Sequence, residues 1–343
     1  MAITRVKTWA AEILTFNDLN AEFDNILNNA LSLISPLTGN LAAGSNDITG
    51  LDELALDDAV ATSSAVGRLR RNGNAIHWHD QTGGVALQTI VGGHLFGLTL
   101  SNNGVDATND IDIAVGTAVD STEALTMRLT SALTKQLDAV WAVGTNAGML
   151  DTGAVANTTY HIFVITRVDT GVVDILASTS ATAPSMPASY TLFRRIGSIL
   201  RVAGAIVLFT QDGDYFRRST SILDVSAANP GTAAVTRTLS VPIGINIYAM
   251  FNGGTANSGA AGNAVYYFSD LASTDAAVSL TVAPLGQGPL VQTAANAVGF
   301  AFGTFSIRTN TSAQIRSRLL FSDASVTLYM ATLGWIDRRN QDA

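Results

Sequence analysis

The chain has 343 residues, a formal net charge of −8, 47% hydrophobic residues and only 13% charged ones. An acidic balance and a charged fraction well below the usual quarter or so argue against a phosphate-backbone binder, so no nucleic-acid partner is expected. With no cysteine there is no disulfide framework and no thiolate metal site. No apolar run approaches the roughly 20 residues of a membrane span, and Glu12, Asn17 and Asp18 interrupt the stretch after Arg5 and Lys7. Neither membrane insertion nor a secretory leader is therefore expected.

The first predicted element is a short helix. Thr15 and Asp18 are spaced as a capping box, which supplies side-chain acceptors to the freed amides of a first turn. Leu19, Phe23, Ile26, Ala30 and Leu33 then recur at spacings of four, three, four and three, an a/d seam of about two heptads that Pro36 ends. A helix this short is marginal alone in water, so its apolar stripe needs a cover, and copies of itself are the simplest one. Residues 1–37 are read as an oligomerising and docking element.

Residues 38–94 read as a linker and hairpin shaft. Ser45-Asn46-Asp47 is turn chemistry, and Asn72-Gly73 divides "RLRRN" from "NAIHWHD" as a hairpin turn would. From Leu95 to the end the pattern is β-like, with strands expected at 160–168, 172–177, 192–202, 204–209, 235–241, 243–251, 264–268, 277–282, 303–308, 313–321 and 325–336. Residues 122–139 offer a competing, weak helical pattern. Closely spaced turn signals favour an antiparallel β-sandwich or jelly roll over a βαβ fold. Pro230-Gly231 could mark a subdomain seam between halves at 95–225 and 226–343, which are expected to form one continuous β-module. No period of roughly 20–50 residues is visible, so a solenoid is not expected.

The segments "ITRVKTWAAEILTFNDLNAEFDNILNN" and "SPLTGNLAAGSNDITGLDEL" resemble the amino-terminal region of tailed-bacteriophage fibre and virion appendage proteins. The resemblance continues through "VGRLRRNGNAIHWHD". It resumes in "LSNNGVDATNDIDI", "NTTYHIFVITRVDTGVVDILASTSATAPSMP", "FRRIGSILRVAGAI" and "FGTFSIRTNTSAQIRSRLLFSDASVTLYMATLGWIDRR", which look like a β-rich module of phage tail-fibre proteins. The resemblance implies a homotrimer in the virion, docked through its amino terminus to other tail, neck or capsid proteins. Its outer module would contact a bacterial surface glycan or envelope protein. The family carries no diagnostic catalytic motif to transfer.

Among candidate sites, His77-Trp78-His79 places two imidazoles on one face of a strand, where copies about a threefold axis could present an octahedral set of nitrogens. The competing reading is a polar hairpin face, and no metal is expected. Asp110-Ile111-Asp112 and Asp212-Gly213-Asp214 offer oxygens but lack the further acidic positions of a calcium loop, and read as a solvated strand face and a tight turn. Arg194-Arg195, Arg217-Arg218 and Arg316 with Arg318 could grip carboxylates of a glycan or of a neighbouring subunit, or pair within the chain. One member of each adjacent pair should face outward, and Arg316 and Arg318 should share a face. His94 and His161 sit in apolar stretches and read as packed. Gly286-Gln287-Gly288 stops short of a dinucleotide fingerprint, and nucleophile-elbow, zinc-protease and phosphate-loop motifs are absent.

The expectation is therefore a virion structural protein, without enzymatic activity or cofactor, acting as a tail-fibre or appendage subunit. A head, neck or baseplate decoration protein and a glycan-degrading tailspike are the alternatives.

Overall fold

The structure is a computed structural model that describes residues 15–29, 68–72, 75–80, 83–86, 92–259, 264–287 and 299–339. For residues 22, 25–29, 68–72, 75–80 and 83–86 it describes the backbone alone. The chain divides into two compact units, residues 1–88 and 89–343.

In the first unit, helix α1 (Phe16–Asn29) opens on a reciprocal cap. The Asp18 amide donates to Thr15 Oγ1 at 3.3 Å, and the Thr15 amide donates to Asp18 Oδ2 at 3.1 Å. Two otherwise orphaned donors are satisfied, and the Asp18 charge lies where the helix dipole favours it. Of the seam, Leu19 and Phe23 are exposed, as is Phe16 ahead of them. The backbone of Ile26 belongs to α1, while Ala30 and Leu33 lie outside the described residues.

The same unit contains a three-stranded antiparallel sheet, β1 (Arg68–Asn72), β2 (Ala75–Asp80) and β3 (Gly83–Ala86), in that order. Asn72 is opposite Ala75, so the hairpin turns at the expected place. The third strand has no sequence signal, because Gly-Gly-Val-Ala is too short and too glycine-rich to show alternation.

The second unit runs through β4 (Leu95–Gly97), β5 (Leu100–Asn102), β6 (Asp110–Ile113), β7 (Gly116–Val119), β8 (Thr126–Leu129), β9 (Leu133–Val140) and β10 (Ala147–Leu150). Next come β11 (Thr159–Thr166), β12 (Val173–Ser178), β13 (Leu192–Val202), β14 (Ala205–Ile206), β15 (Phe209–Asp212) and β16 (Tyr215–Ala228). The last are β17 (Val235–Thr238), β18 (Tyr248–Asn257), β19 (Tyr266–Ser269), β20 (Gly299–Arg308), β21 (Gln314–Leu319) and β22 (Val326–Ile336).

Thirteen strands form one hydrogen-bonded sheet in the order β14-β13-β11-β12-β10-β9-β6-β5-β15-β16-β22-β18-β20, and two small sheets are β17-β21-β19 and β4-β7-β8. The expectation of a mainly β chain holds: among the described residues strands dominate, and α1 is the one α-helix. Within it several expectations are corrected. The helical pattern at 122–139 is strand, β8 and β9, since cross-strand pairing overrides a weak local preference. Pairing is not wholly antiparallel, because β10 runs parallel to both β9 and β12. Residues 277–282 form no strand, only a bridge from Ser279 to Leu285. Strand β18 begins at Tyr248 rather than 243.

Strand β16 carries the joint of the large sheet. From Tyr215 it lies between β15, paired as far as Arg218, and β22, paired at Tyr215 to Arg217 and again from Ile222 onward. Arg217 is opposite Gly334 and Ile222 opposite Thr332, so Arg218 to Ser221 bulge out against Leu333 alone. Close approach there requires glycine at 334, where a Cβ would lie 2.2 Å from the Phe216 carbonyl oxygen. On the same pair of strands Phe216 stacks on Trp335, ring centroids 5.6 Å apart and interplanar angle 6°.

Buried side chains from the large sheet and both small sheets belong to one core, from Leu98 and Met127 through Ile162 and Phe216 to Phe251, Ile315 and Trp335. An aromatic knot of Phe251, Tyr266, Phe268 and Phe305 fills its far end at centroid distances of 5.0–6.0 Å. Strand β11 is buried at every position and β13 along most of its length. A second apolar cluster of Phe163, Ile165, Leu176 and Tyr190 covers the other face of this sheet region.

Candidate functional site

Because both faces of β13 are covered, Arg194 and Arg195 are both buried, against the expectation that one would face outward. A register shift helps, with Ile162 opposite Gly197 and Phe163 opposite Arg195. Arg195 meets Asp337 as a two-pronged pair, Nη1 to Oδ2 at 2.5 Å and Nη2 to Oδ1 at 2.8 Å. Arg195 Nη1 also donates to Ser198 Oγ at 3.1 Å, and Ser198 Oγ donates to Asp337 Oδ2 at 3.3 Å. His161 Nδ1 lies 2.9 Å from the same Ser198 oxygen, and its Nε2 faces Gly244.

Serine, histidine and aspartate thus meet, yet not as a nucleophile triad. The carboxylate bonds the serine and the arginine rather than orienting the imidazole, and every member is buried. Burial, reinforced by the Arg195 charge and opposed by Asp337, pulls His161 down to about 4, which leaves the ring neutral and a weak base. Burial alone would raise Asp337, but Arg195 together with amide and hydroxyl donors holds it below the usual carboxylate range. The network braces the segment that follows β22. Arg339 donates its amide to Asp337 at 2.9 Å and its guanidinium to Asp214 at 2.9 Å, while Arg194 reaches the Arg339 carbonyl at 3.3 Å.

A second buried charge pair has the same character. Lys135 Nζ lies 3.1 Å from Asp174 and donates to the carbonyls of Ala142 and Gly144 at 2.7 and 3.1 Å. Burial lowers its pKa although Asp174 opposes the change. Buried pairs of this kind add little net stability, because the cost of desolvating both charges offsets their attraction.

The other expected candidates separate. Asp112 accepts from Asn103 and Thr134 at 2.8 and 2.6 Å, and Asp110 is raised by burial and then by Asp106, Asp138 and Asp112. Asp212 and Asp214 flank the β15–β16 turn, where Gly213 has φ +58°. Arg316 and Arg318 share a face and both reach Asp275, at 3.7 and 2.5 Å. His161 is packed as expected, whereas His94 is exposed beside Thr117 Oγ1 at 3.1 Å, because it precedes the sheet rather than entering it. His77 and His79 occupy alternate positions of β2, opposite Arg70 and Arg68. Gly286 lies against Val265 and Val278, and Gly288 is outside the described residues. Among the described residues no group of three or more potential ligands is placed to hold a metal, and no helix is long and apolar enough to cross a membrane.

Among the described residues, open cavities lie at the β16 bulge. Two adjoining ones, of ≈ 340 and ≈ 410 Å³, share Tyr215, Arg217, Arg218 and Ser219, with Thr210 and Asp212 at one side and Ser221 and Leu333 at the other. Residues 217 and 218 should face opposite ways on a regular strand, but both line this groove because the alternation breaks at the bulge. The Arg218 guanidinium donates to the carbonyls of Thr220 and Ser240 at 3.3 and 3.2 Å. Ser240 in turn gives its amide and hydroxyl to Asp224, at 3.0 and 2.6 Å, at the next irregularity of β16. Both bulges are therefore tied to one residue, and the groove is held in shape. The two arginines are legible in the sequence but the groove is not, because β22 must lie alongside to form it.

No protein-family model matches the chain, and no curated protein matches it.

Proposed function

We propose that the chain is a subunit of a bacteriophage virion appendage, of tail-fibre type, that associates with copies of itself through its amino-terminal helix and holds a β-sandwich-like body outward toward the host surface. The observation that carries this reading is the capped helix α1, on which Phe16, Leu19 and Phe23 stand 77, 43 and 54% exposed. Large apolar side chains spaced along so short a helix favour burial, and the seam from Leu19 to Leu33 is suited to pairing with its own copies. The two-unit division, with a β-rich body of 255 residues following the helix-bearing unit (343 less 88), supports an anchor and a displayed module. The sequence resemblance to fibre proteins supplies the virion context, and three copies are the number it implies.

The test is sedimentation of the full-length chain beside Leu19→Glu/Phe23→Glu. The parent should sediment as a trimer and the double variant as a monomer with its β circular-dichroism signal intact. A parent that is monomeric over the micromolar range overturns the reading. For the virion role, particles carrying a chain that lacks residues 95–343 should assemble but fail to adsorb.

A further inference from the structure

We propose that the groove at the β16 bulge is a binding site for an acidic saccharide, a chain of uronate-type sugars whose carboxylate is taken by Arg217. Arg217 is exposed and lines both cavities, and among the described residues its guanidinium makes no hydrogen bond and no ion pair. Arg218 beside it is committed to the Thr220 and Ser240 carbonyls, so it holds the groove rather than reaching out of it. A guanidinium presents a planar fork of donors that matches a carboxylate with two parallel hydrogen bonds.

The rest of the lining selects among anions. Asp212, exposed and with no hydrogen bond to its carboxylate among the described residues, lies along the same groove. An ionised carboxylate only accepts, so its complement must donate, and it repels a doubly charged phosphate more than a singly charged carboxylate. Thr210, Ser219 and Ser221 add hydroxyls of either polarity, and Tyr215 offers an aromatic face with a polar tip. One carboxylate surrounded by hydroxyl donors is the chemistry of a hexuronate. The cavity volumes fall in the range of small-ligand sites, with open sides through which a polymer can pass. In an assembly of several copies, weak sites gain strength from effective concentration.

The inference rests on the appendage reading only for the source of the glycan. The experiment is titration calorimetry of the full-length chain with galacturonate oligosaccharides, their methyl esters, inorganic phosphate and oligo-glutamate, repeated with Arg217→Gln and Arg217→Lys. Galacturonate oligomers should bind. Esterification or Arg217→Gln should weaken binding at least tenfold at unchanged thermal midpoint, with Arg217→Lys between. Absence of galacturonate binding, equal binding of the esters, equal binding of oligo-glutamate or phosphate, or indifference to Arg217→Gln each overturns the assignment. Sedimentation of the same samples separates the two readings, because Arg217→Gln leaves the helix untouched. An oligomer that fails to bind sinks only the groove, and a monomer that binds sinks only the appendage.

Discussion

Acid should destabilise this protein through one buried imidazole. His161 is fully buried, with its pKa drawn down to about 4 from an ordinary 6.5 by burial and by Arg195. The folded state therefore binds fewer protons than the unfolded chain between those values, and stability falls as pH drops through that window. The contribution is almost intact at pH 7. By pH 5 the unfolded imidazole is protonated and the folded one is not, which costs about 2 kcal/mol, approaching roughly 3 kcal/mol near pH 4. Replacement by Asn keeps a polar atom near the Nδ1 position facing Ser198 but removes the titration. Urea unfolding of the full chain, followed by tryptophan fluorescence at pH 7 and pH 5, should show the parent losing about 2 kcal/mol more than His161→Asn over that interval. The other titrating groups are common to both proteins and cancel in the difference. Equal losses in parent and variant would refute the argument, since the ring would then be charged or solvated in the fold.

Asp337→Asn leaves the buried Arg195 charge without its counter-ion, and by the same measurement should cost about 3–5 kcal/mol at pH 7, much of it recovered when Arg195→Met is added. Gly334→Ala forces a methyl group against the Phe216 carbonyl at the sheet joint. It should lower the thermal midpoint by the equivalent of about 1–3 kcal/mol, and a neutral result would mean that β16 and β22 are not so closely apposed.

Much of this protein was legible in residue order. The Thr15–Asp18 cap, the hairpin closing at Asn72, the strand at 192–202 and the mainly β character all rest on local chemistry or on period-two alternation, which neighbouring residues fix among themselves. The long strand β16 was not legible. Its run Tyr-Phe-Arg-Arg-Ser-Thr-Ser-Ile-Leu-Asp-Val-Ser-Ala-Ala shows no steady alternation, because it loses β15 as a neighbour after Arg218 and bulges twice against β22. The burial of Arg194 and Arg195 was hidden for a related reason. Their strand is covered on both faces, and the counter-ion Asp337 stands 142 residues away.

Sequence alone determined which stretches would be helix, turn or strand wherever the deciding contacts lie within a few residues. Tertiary structure alone decided which charges are sequestered and which stay open. Whether Arg195 or Arg217 meets water depends on strands brought alongside from distant parts of the chain, and no local pattern encodes that partner.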